Sequence, residues 1–218
     1  MKRFHCLEAL APLVGERLVI TNVGPTRSEW ELLHPSDGNL YQAQLGTLSG
    51  LALGLAVALE RAGSDLGVVA LEGDGSLVFS PGVLATCAIA APRGLSIFVF
   101  DNGCYESTGG HASITARGTD LAQVARGFGL ESTVTVDTVE AFSVAAQDAL
   151  TRPGPRLVVA RVEPSSGRGE FLGNRPPSTM DGIENKYRFA RYVEARAGVR
   201  VLSPPDYATG FSPSAGRN

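Results

Sequence analysis

Short apolar runs alternate with longer amphipathic segments along most of the chain. The runs that read as strands are 18–21, 39–42, 67–71, 95–100, 132–136 and 157–162. The segments with helical spacing of apolar positions are 4–14, a stretch that ends at 33, 46–61, 79–90, 120–128, 139–150 and 184–195. Strands that alternate with helices predict an α/β fold. We expect a single three-layer domain with a mainly parallel sheet, covered by helices on both faces.

Length and composition indicate one ordinary globular domain. A chain of 218 residues with 44% hydrophobic residues is long enough to bury a substantial core. A net charge of −3 with 19% charged residues argues against a nucleic-acid-binding protein, which would carry a basic surface. The Pro-, Ser- and Gly-rich end is typical of a flexible segment. We therefore predict a domain over 1–200 and a flexible tail over 201–218.

Cysteine usage and the apolar segments indicate a cytoplasmic protein. Cys6, Cys87 and Cys104 show no paired metal-ligand spacing, so we interpret them as reduced thiols. The N-terminal basic residues precede too short an apolar stretch for a signal peptide. The longest apolar segment, 45–59, is interrupted by Gly and Ser and is shorter than a membrane span, so we expect a buried helix and no membrane association.

Two polar motifs follow neighbouring predicted strands. Asp74 lies in Gly-Asp-Gly-Ser after the run at 67–71, and Asn102 lies in Asp-Asn-Gly after the run at 95–100. Either motif alone is common turn chemistry. Parallel strands present their carboxyl ends at one edge of a sheet, so the pair together favours a ligand site. Carboxylate and amide oxygens suit Mg²⁺, which commonly takes further ligands from a substrate's phosphates.

The glycines beside Asp74 fit the same interpretation. Gly73 and Gly75 would let the backbone approach a diphosphate closely. Gly75 and Ser76 are expected to begin a helix whose N-terminus faces that diphosphate.

The amino-acid sequence around these motifs resembles that of a known family. L-E-G-D-G-S-L, followed by P-R-G-L-S-I-F-V-F-D-N-G-C-Y-E-S-T-G-G, is similar to the thiamine diphosphate (ThDP) binding half of sulfopyruvate and phosphonopyruvate decarboxylases. The resemblance extends from about residue 22 to about 192. It implies a ThDP-binding fold of the type that holds the diphosphate, with ThDP and Mg²⁺ as cofactors. It also implies that Asp74, Asn102 and the backbone carbonyl of Cys104 are the metal ligands.

The resemblance also implies a set of cofactor contacts. Leu48 takes the place of a bulky apolar side chain that wedges between the cofactor's two rings, and the Gly46 carbonyl would accept a hydrogen bond from the aminopyrimidine. From the residues alone, a small-residue helix packed on the sheet explains the same segment. The expected cofactor-binding residues are Gly24, Thr26, Gly46, Leu48, Gly73, Gly75, Ser76 and Tyr105.

Glu106 and His111 are the expected catalytic residues, in the loop that would cover the cofactor. His111 stands where relatives often carry Gln. It could bind an anionic substrate group or move protons near neutral pH, and it could equally be an exposed loop residue. A later Gly- and Pro-containing loop supplies Arg168 and Arg175, which could meet a substrate anion or lie solvated at the surface.

The resemblance implies a beta-type subunit of a split enzyme. ThDP enzymes need a glutamate from a pyrimidine-binding domain, and this chain has no room for that domain. We expect an alpha-type partner to supply the glutamate, in an α2β2 or larger hetero-oligomer. The substrate would be a small anionic 2-oxo acid such as sulfopyruvate or phosphonopyruvate, which loses CO₂. A ThDP-dependent carboligase subunit and a non-catalytic ThDP-binding regulatory subunit remain alternatives.

Overall fold

The computed structural model describes residues 1–165 and 180–202, and the predicted alternation of strands and helices is present there. The strands are β1 (Leu18–Asn22), β2 (Asn39–Ala43), β3 (Val68–Gly73), β4 (Leu95–Asp101), β5 (Cys104–Tyr105), β6 (His111–Ala112), β7 (Thr133–Val136) and β8 (Arg156–Arg161). The helices are α1 (Arg3–Val14), α2 (Pro25–Leu33), α3 (Leu48–Arg61), α4 (Asp74–Leu77), α5 (Val83–Ala90), α6 (Leu121–Gly127), α7 (Val139–Thr151) and α8 (Gly182–Ala197). Most of the predicted tail and the loop with Arg168 and Arg175 lie outside the described residues.

Six of these strands form one parallel sheet in the order β2-β1-β3-β4-β8-β7. The chain leaves β1 for β2 on one side and then returns to the other side of β1 to form β3. The strand order therefore reverses between β1 and β3. In open α/β sheets, ligands bind beyond the carboxyl ends of the strands at such a reversal. The topology thus points to the ends of β1, β3 and β4 as the ligand-binding edge.

Alternating side chains divide the core into two apolar clusters, one on each face of the sheet. Val69, Leu71 and Phe98 face the layer formed by α1, α2 and α7. Ala70 and Ile97 face the layer formed by α3, α5, α6 and α8. Each fully buried large apolar side chain contributes about 1.5–3 kcal/mol of transfer free energy. The predicted three-layer α/β domain with a parallel sheet is confirmed.

Helix α8 is fixed to the edge strand β2 by one buried side chain. The Asn185 amide is 3% exposed. Its Oδ1 accepts from the Tyr41 backbone N–H at 2.9 Å, and its Nδ2 donates to the Asn39 carbonyl at 2.9 Å. One amide thus satisfies a donor and an acceptor on the outer edge of β2, where a further strand would otherwise pair.

Two local predictions differ from the structure. The helix predicted over 79–90 begins only at Val83, because Pro81 disfavours helical geometry in the residue before it. The helix predicted to begin at Gly75 and Ser76 is the single turn α4. The antiparallel pair β5–β6 was not predicted, since two-residue strands leave no periodicity to detect.

In the described ranges, no helix combines the length and apolar content that crossing a bilayer requires.

Candidate functional site

A small cavity lies at the carboxyl edge of the sheet, beside the reversal of strand order. Gly73 at the end of β3 pairs with Phe100 of β4, so Asp74 and Asn102 leave the sheet side by side. The cavity volume is about 70 Å³. Both polar residues line it, as the sequence predicts. The predicted site residues that line the cavity are Thr26, Gly73, Asp74, Gly75, Ser76, Asn102, Cys104, Tyr105 and Glu106.

The Asp74 carboxylate is buried and held by two hydroxyl groups. Its Oδ2 accepts from Ser113 Oγ at 2.5 Å and from Thr115 Oγ1 at 3.0 Å. Thr115 Oγ1 also lies 2.7 Å from Asp101 Oδ1, and a hydroxyl has only one proton to share between two carboxylates. Burial, with the nearby charge of Asp101, raises the pKa of Asp74 above its ordinary value. A divalent cation at this carboxylate would favour its charged form.

The Asn102 side chain has a defined orientation. Its Nδ2 donates to Glu106 Oε2 at 3.1 Å, and its Oδ1 accepts from the Cys104 backbone N–H at 3.0 Å. Rotating the amide by a half-turn would place two acceptors together on one side and two donors on the other. Because a carbonyl oxygen has two lone pairs, Oδ1 can still bind a metal.

Glu106 is tied to two distant parts of the chain. Its Oε2 accepts from Arg3 Nη1 at 2.9 Å, while its Oε1 accepts from the backbone N–H of Ser165 at 2.8 Å and from the Ser165 hydroxyl. Burial acts to raise the pKa of Glu106, but the hydrogen bonds from Ser165 and Arg3 and the charge of Arg3 leave it below its ordinary value. The carboxylate is therefore an ionised, fully bonded anchor.

Arg3 is itself fixed by a second carboxylate. It is 6% exposed, and Glu29 of α2 is 1% exposed. Arg3 Nε and Nη2 donate to the two oxygens of Glu29 at 2.8 and 3.1 Å. The first turn of α1 thereby reaches the cavity wall. Sequence reasoning missed this network because an arginine at the start of a helix usually points to solvent.

Another buried carboxylate, Glu72, joins β3 to two other elements. It is 1% exposed and accepts from Asn22 Nδ2 of β1 and from both the N–H and the hydroxyl of Ser49 in α3. Ser49 is in the first turn of α3, whose N-terminal N–H groups have no partner within the helix. Burial raises the pKa of Glu72. The sequence signal was available, because a charged residue ended an otherwise apolar strand.

Gly46 and Ser76 connect the start of α3 to the turn after β3. The Gly46 N–H donates to Ser76 Oγ at 3.0 Å. Gly46 has φ +78°, and a Cβ built there would lie 2.8 Å from the Phe79 Cβ. Both the backbone conformation and the close approach therefore require glycine at this position. Neither Gly46 nor its predicted neighbour Leu48 is among the residues that line the cavity.

Gly46→Ala is expected to lower the free energy of unfolding by about 1–3 kcal/mol, because the left-handed conformation is strained for alanine and its Cβ meets Phe79. Gly54→Ala is the matched control in helix α3, since a Cβ there meets nothing within 4 Å. That control should gain up to about 1 kcal/mol. Urea denaturation measures both changes, and equal effects would contradict the conformational argument.

Three further predicted residues lie outside the cavity wall. Leu48 is 0% exposed within the core, so a cofactor reaches it only if neighbouring side chains move. Leu45, which is 36% exposed, is one of the apolar side chains that line the cavity. Gly24 has φ +98° and packs close to Ser107. His111 is exposed on β6, opposite Tyr105. The wedge role of Leu48 and the catalytic role of His111 stay predictions.

Tyr105 covers Gly75 in the turn that follows β3. A Cβ at Gly75 would lie 2.7 Å from the Tyr105 ring, so the small residue allows this packing. The ring also makes an edge contact with Phe79, at a centroid distance of 6.1 Å. Phe79 is 61% exposed. Together with Leu45, these aromatic residues give the cavity an apolar rim that opens to solvent.

The oxygen donors are suited to a cation that brings its own phosphate ligands. In the described part of the chain, no group of three or more His, Cys, Asp or Glu side chains is placed to hold a metal. Asp74 and Asn102 supply one carboxylate and one neutral amide, which leaves coordination positions for a diphosphate and water. A larger cavity of about 700 Å³ lies at the opposite edge, near Arg17 and Arg93, away from these donors.

Most of the chain matches a protein-family model. Residues 30–160 match the model described as "Thiamine pyrophosphate enzyme, C-terminal TPP binding domain". The matched range includes β2, β3 and β4 with both polar motifs. It therefore includes the cavity wall formed by Asp74 and Asn102.

Individual relatives extend the match over most of the chain. The chain is 27% identical over 195 residues to sulfopyruvate decarboxylase subunit beta from Methanocaldococcus jannaschii, covering 88% of this chain and 97% of that one. It is 32% identical over 188 residues to phosphonopyruvate decarboxylase from Streptomyces viridochromogenes, covering 85% of this chain but only 45% of that one. The benzoylformate decarboxylase structure from Polynucleobacter necessarius shares the fold, with a TM-score of 0.67 at 21% identity over 76% of this chain and 34% of that one.

Proposed function

Because the chain belongs to the thiamine pyrophosphate enzyme family, whose C-terminal TPP-binding domain it matches, we propose that it is the ThDP- and Mg²⁺-binding subunit of a two-subunit 2-oxo acid decarboxylase. The observation that carries the proposal is the pairing of Asp74 and Asn102 at one cavity, each with its orientation fixed by hydrogen bonds. The relatives named as sulfopyruvate and phosphonopyruvate decarboxylases support a small anionic 2-oxo acid as the substrate.

The residues present fit a metal–diphosphate group. Asp74, Asn102 and the Cys104 carbonyl would hold Mg²⁺, with the remaining ligands taken from the diphosphate and water. Thr26, which lines the cavity, would donate to a diphosphate oxygen. Gly73 and Gly75 have no side chains, so their backbone can approach the diphosphate closely. Bound ThDP supplies the electron sink that lets a 2-oxo acid lose CO₂, while the protein provides orientation and proton control.

A partner subunit would complete the site. Pockets that enclose a ligand usually measure about 300–1,000 Å³, much more than the cavity of about 70 Å³ here. The described residues thus supply one wall. Leu45 and Phe79 on the exposed rim are suited to contact with an apolar partner surface. The alpha-type partner supplies the activating glutamate, and it closes the site against water in a hetero-oligomer of α2β2 or larger stoichiometry.

The lengths of two relatives support the division of the enzyme between two chains. The beta subunit of Methanocaldococcus jannaschii is matched over 97% of its length, whereas the Streptomyces phosphonopyruvate decarboxylase is matched over 45%. The unmatched part of that longer relative corresponds in size to a second domain. The proposed complex divides those two domains between two chains.

His111 lies on the exposed β5–β6 hairpin, paired with Tyr105, which lines the cavity. We assign it to the substrate's anionic group or to proton transfer in the assembled enzyme. Its exposure in the isolated chain is consistent with a role that begins only when the partner covers the hairpin.

The isolated chain is expected to bind ThDP weakly and to release no CO₂ from a 2-oxo acid, because the partner's glutamate is missing. The test measures CO₂ release from sulfopyruvate, phosphonopyruvate and pyruvate by the chain alone and with the subunit that co-purifies from its native source. Release should require ThDP, Mg²⁺ and the second subunit. Turnover by the homogeneous chain would refute the split site. Formation of an acyloin in place of the aldehyde, with CO₂ still released, would identify a carboligase.

A further inference from the structure

We propose that Glu106 is a positioning residue that Arg3 holds in place and that aims the Asn102 amide oxygen at the metal. The inference rests on the proposed Mg²⁺ site and adds two residues to it, one of them from the first turn of the chain. Glu106 acts through Asn102 and touches no reacting atom. The carboxylate that the sequence suggested as catalytic is thereby given a different task.

The geometry of Asn102 gives the first step. A side-chain amide can present either its oxygen or its nitrogen to a given side, and the two orientations have nearly the same shape. The Glu106 carboxylate only accepts hydrogen bonds, so it selects the orientation with Nδ2 toward itself, at 3.1 Å. Oδ1 is then directed to the Cys104 N–H, away from Glu106, and keeps a second lone pair for the proposed metal. Without that acceptor, the amide is free to present its NH₂ group to the cation.

Arg3 provides the second step, because it fixes the carboxylate itself. Its guanidinium binds both oxygens of Glu29 and still directs Nη1 to Glu106 Oε2 at 2.9 Å. The planar guanidinium supports this fork, whereas a lysine ammonium does not. Glu29 lies on α2 and Arg3 on α1, so two packed helices hold Glu106 at a defined distance from the sheet.

The two oxygens of Glu106 have separate duties. Oε2 accepts from Arg3 and from Asn102, while Oε1 accepts from the N–H and hydroxyl of Ser165. The Ser165 bonds tie the hairpin loop to the segment after β8. The bonds to Oε2 fix the carboxylate against Arg3 and orient Asn102, the proposed metal ligand. Removing the Ser165 hydroxyl leaves both donors to Oε2 in place, although that hydroxyl also accepts from Arg3 Nη2 at 3.2 Å.

The test measures ThDP binding as a function of Mg²⁺ concentration, by calorimetry on the full chain with its co-purified partner. Glu106→Met is expected to raise the Mg²⁺ midpoint about 10- to 100-fold, the usual effect of losing a group that orients a metal ligand. ThDP affinity at saturating Mg²⁺ should change less than about twofold. Glu106→Gln keeps one acceptor oxygen and should recover most of the Mg²⁺ affinity.

Ser165→Ala is the matched control, because the hydroxyl it removes contacts Glu106 Oε1 and Arg3 Nη2 but neither Glu106 Oε2 nor Asn102. Its Mg²⁺ midpoint should stay within about twofold of the wild type. Glu106→Met should fold, since Arg3 and Glu29 remain as a balanced pair. If it does not fold, Arg3→Lys tests the same link and should raise the midpoint too. An unchanged midpoint in the variant that folds, or an equal rise in Ser165→Ala, would overturn the inference. Absence of Mg²⁺-dependent binding in the wild type would instead refute the proposed function.

Discussion

Asp74→Asn is expected to abolish Mg²⁺-dependent ThDP binding, with a loss of affinity of at least about 100-fold. Substitution of groups that merely orient a ligand already costs about 10–100-fold, and Asp74 is the one carboxylate predicted to touch the metal. The wild type should gain about 2.7 kcal/mol of stability at a ligand concentration 100 times the dissociation constant. The variant should gain no more than about 0.4 kcal/mol at the same ligand concentration. Thermal unfolding with and without ThDP and Mg²⁺ measures this difference.

The same variant separates a lost ligand from a lost fold. Burial disfavours the charged form of Asp74, so removal of that charge should not lower the stability of the ligand-free chain. Asp65→Asn is the control, an exposed aspartate at the opposite edge of the sheet that should bind ThDP like the wild type. If Asp74→Asn unfolds without ligand, the loss of binding reports a damaged fold. If it binds normally, the metal assignment is wrong.

Arg3→Met is expected to lower the free energy of unfolding by about 3–5 kcal/mol, the usual cost of removing one partner from a buried ion pair. The substitution leaves the carboxylates of Glu29 and Glu106 buried without their cation; their side chains are 2% and 9% exposed. Lys2→Met is the neighbouring control, because Lys2 pairs with Glu163, which is 56% exposed. A surface pair contributes less than about 1 kcal/mol. Urea denaturation gives both values, and similar losses would refute the buried network.

Arg3→Met should also change how stability depends on pH. The pKa of Glu106 is lower in the folded chain than its ordinary value of 4.5. Such a carboxylate contributes stability that is present above the unfolded pKa and is lost as pH falls through the folded pKa. The wild type should therefore lose stability on acidification below about 4.5, and Arg3→Met should lose less. A denaturation series across that range checks the sign. A steeper acid loss in the variant would contradict the assignment.

The sequence predicted the fold well because strand and helix periodicities are local. The apolar runs that end at Leu71 and Phe100 predicted β3 and β4, and parallel pairing then brought Asp74 and Asn102 together. The sequence could not predict the buried ion pairs of Arg3. Its partners Glu29 and Glu106 lie 26 and 103 residues away, and their meeting depends on how α1 and α2 pack on the sheet.

The sequence also could not predict which side chains point into the cavity. Motif spacing identified the segment at the start of α3, but whether Leu48 or Leu45 reaches the cavity depends on the path of the backbone through Gly46. That path is set by the left-handed conformation of the glycine and by its bond to Ser76. Glu72 could have been found, since a carboxylate that ends a buried strand needs donors, although the identity of those donors is tertiary information.

The Asn185 amide bears on how this protein avoids unwanted association. A terminal strand of a sheet offers unpaired peptide groups on which another molecule's strand can grow, which begins many aggregates. Asn185 occupies a peptide N–H and a carbonyl on the open side of β2, in the way that an added strand would. Helix α8 therefore covers part of the open edge of the sheet. Loss of that single amide would leave the Tyr41 N–H and the Asn39 carbonyl without their partner, at a cost of about 1–3 kcal/mol for each buried group, and would expose a template for self-association.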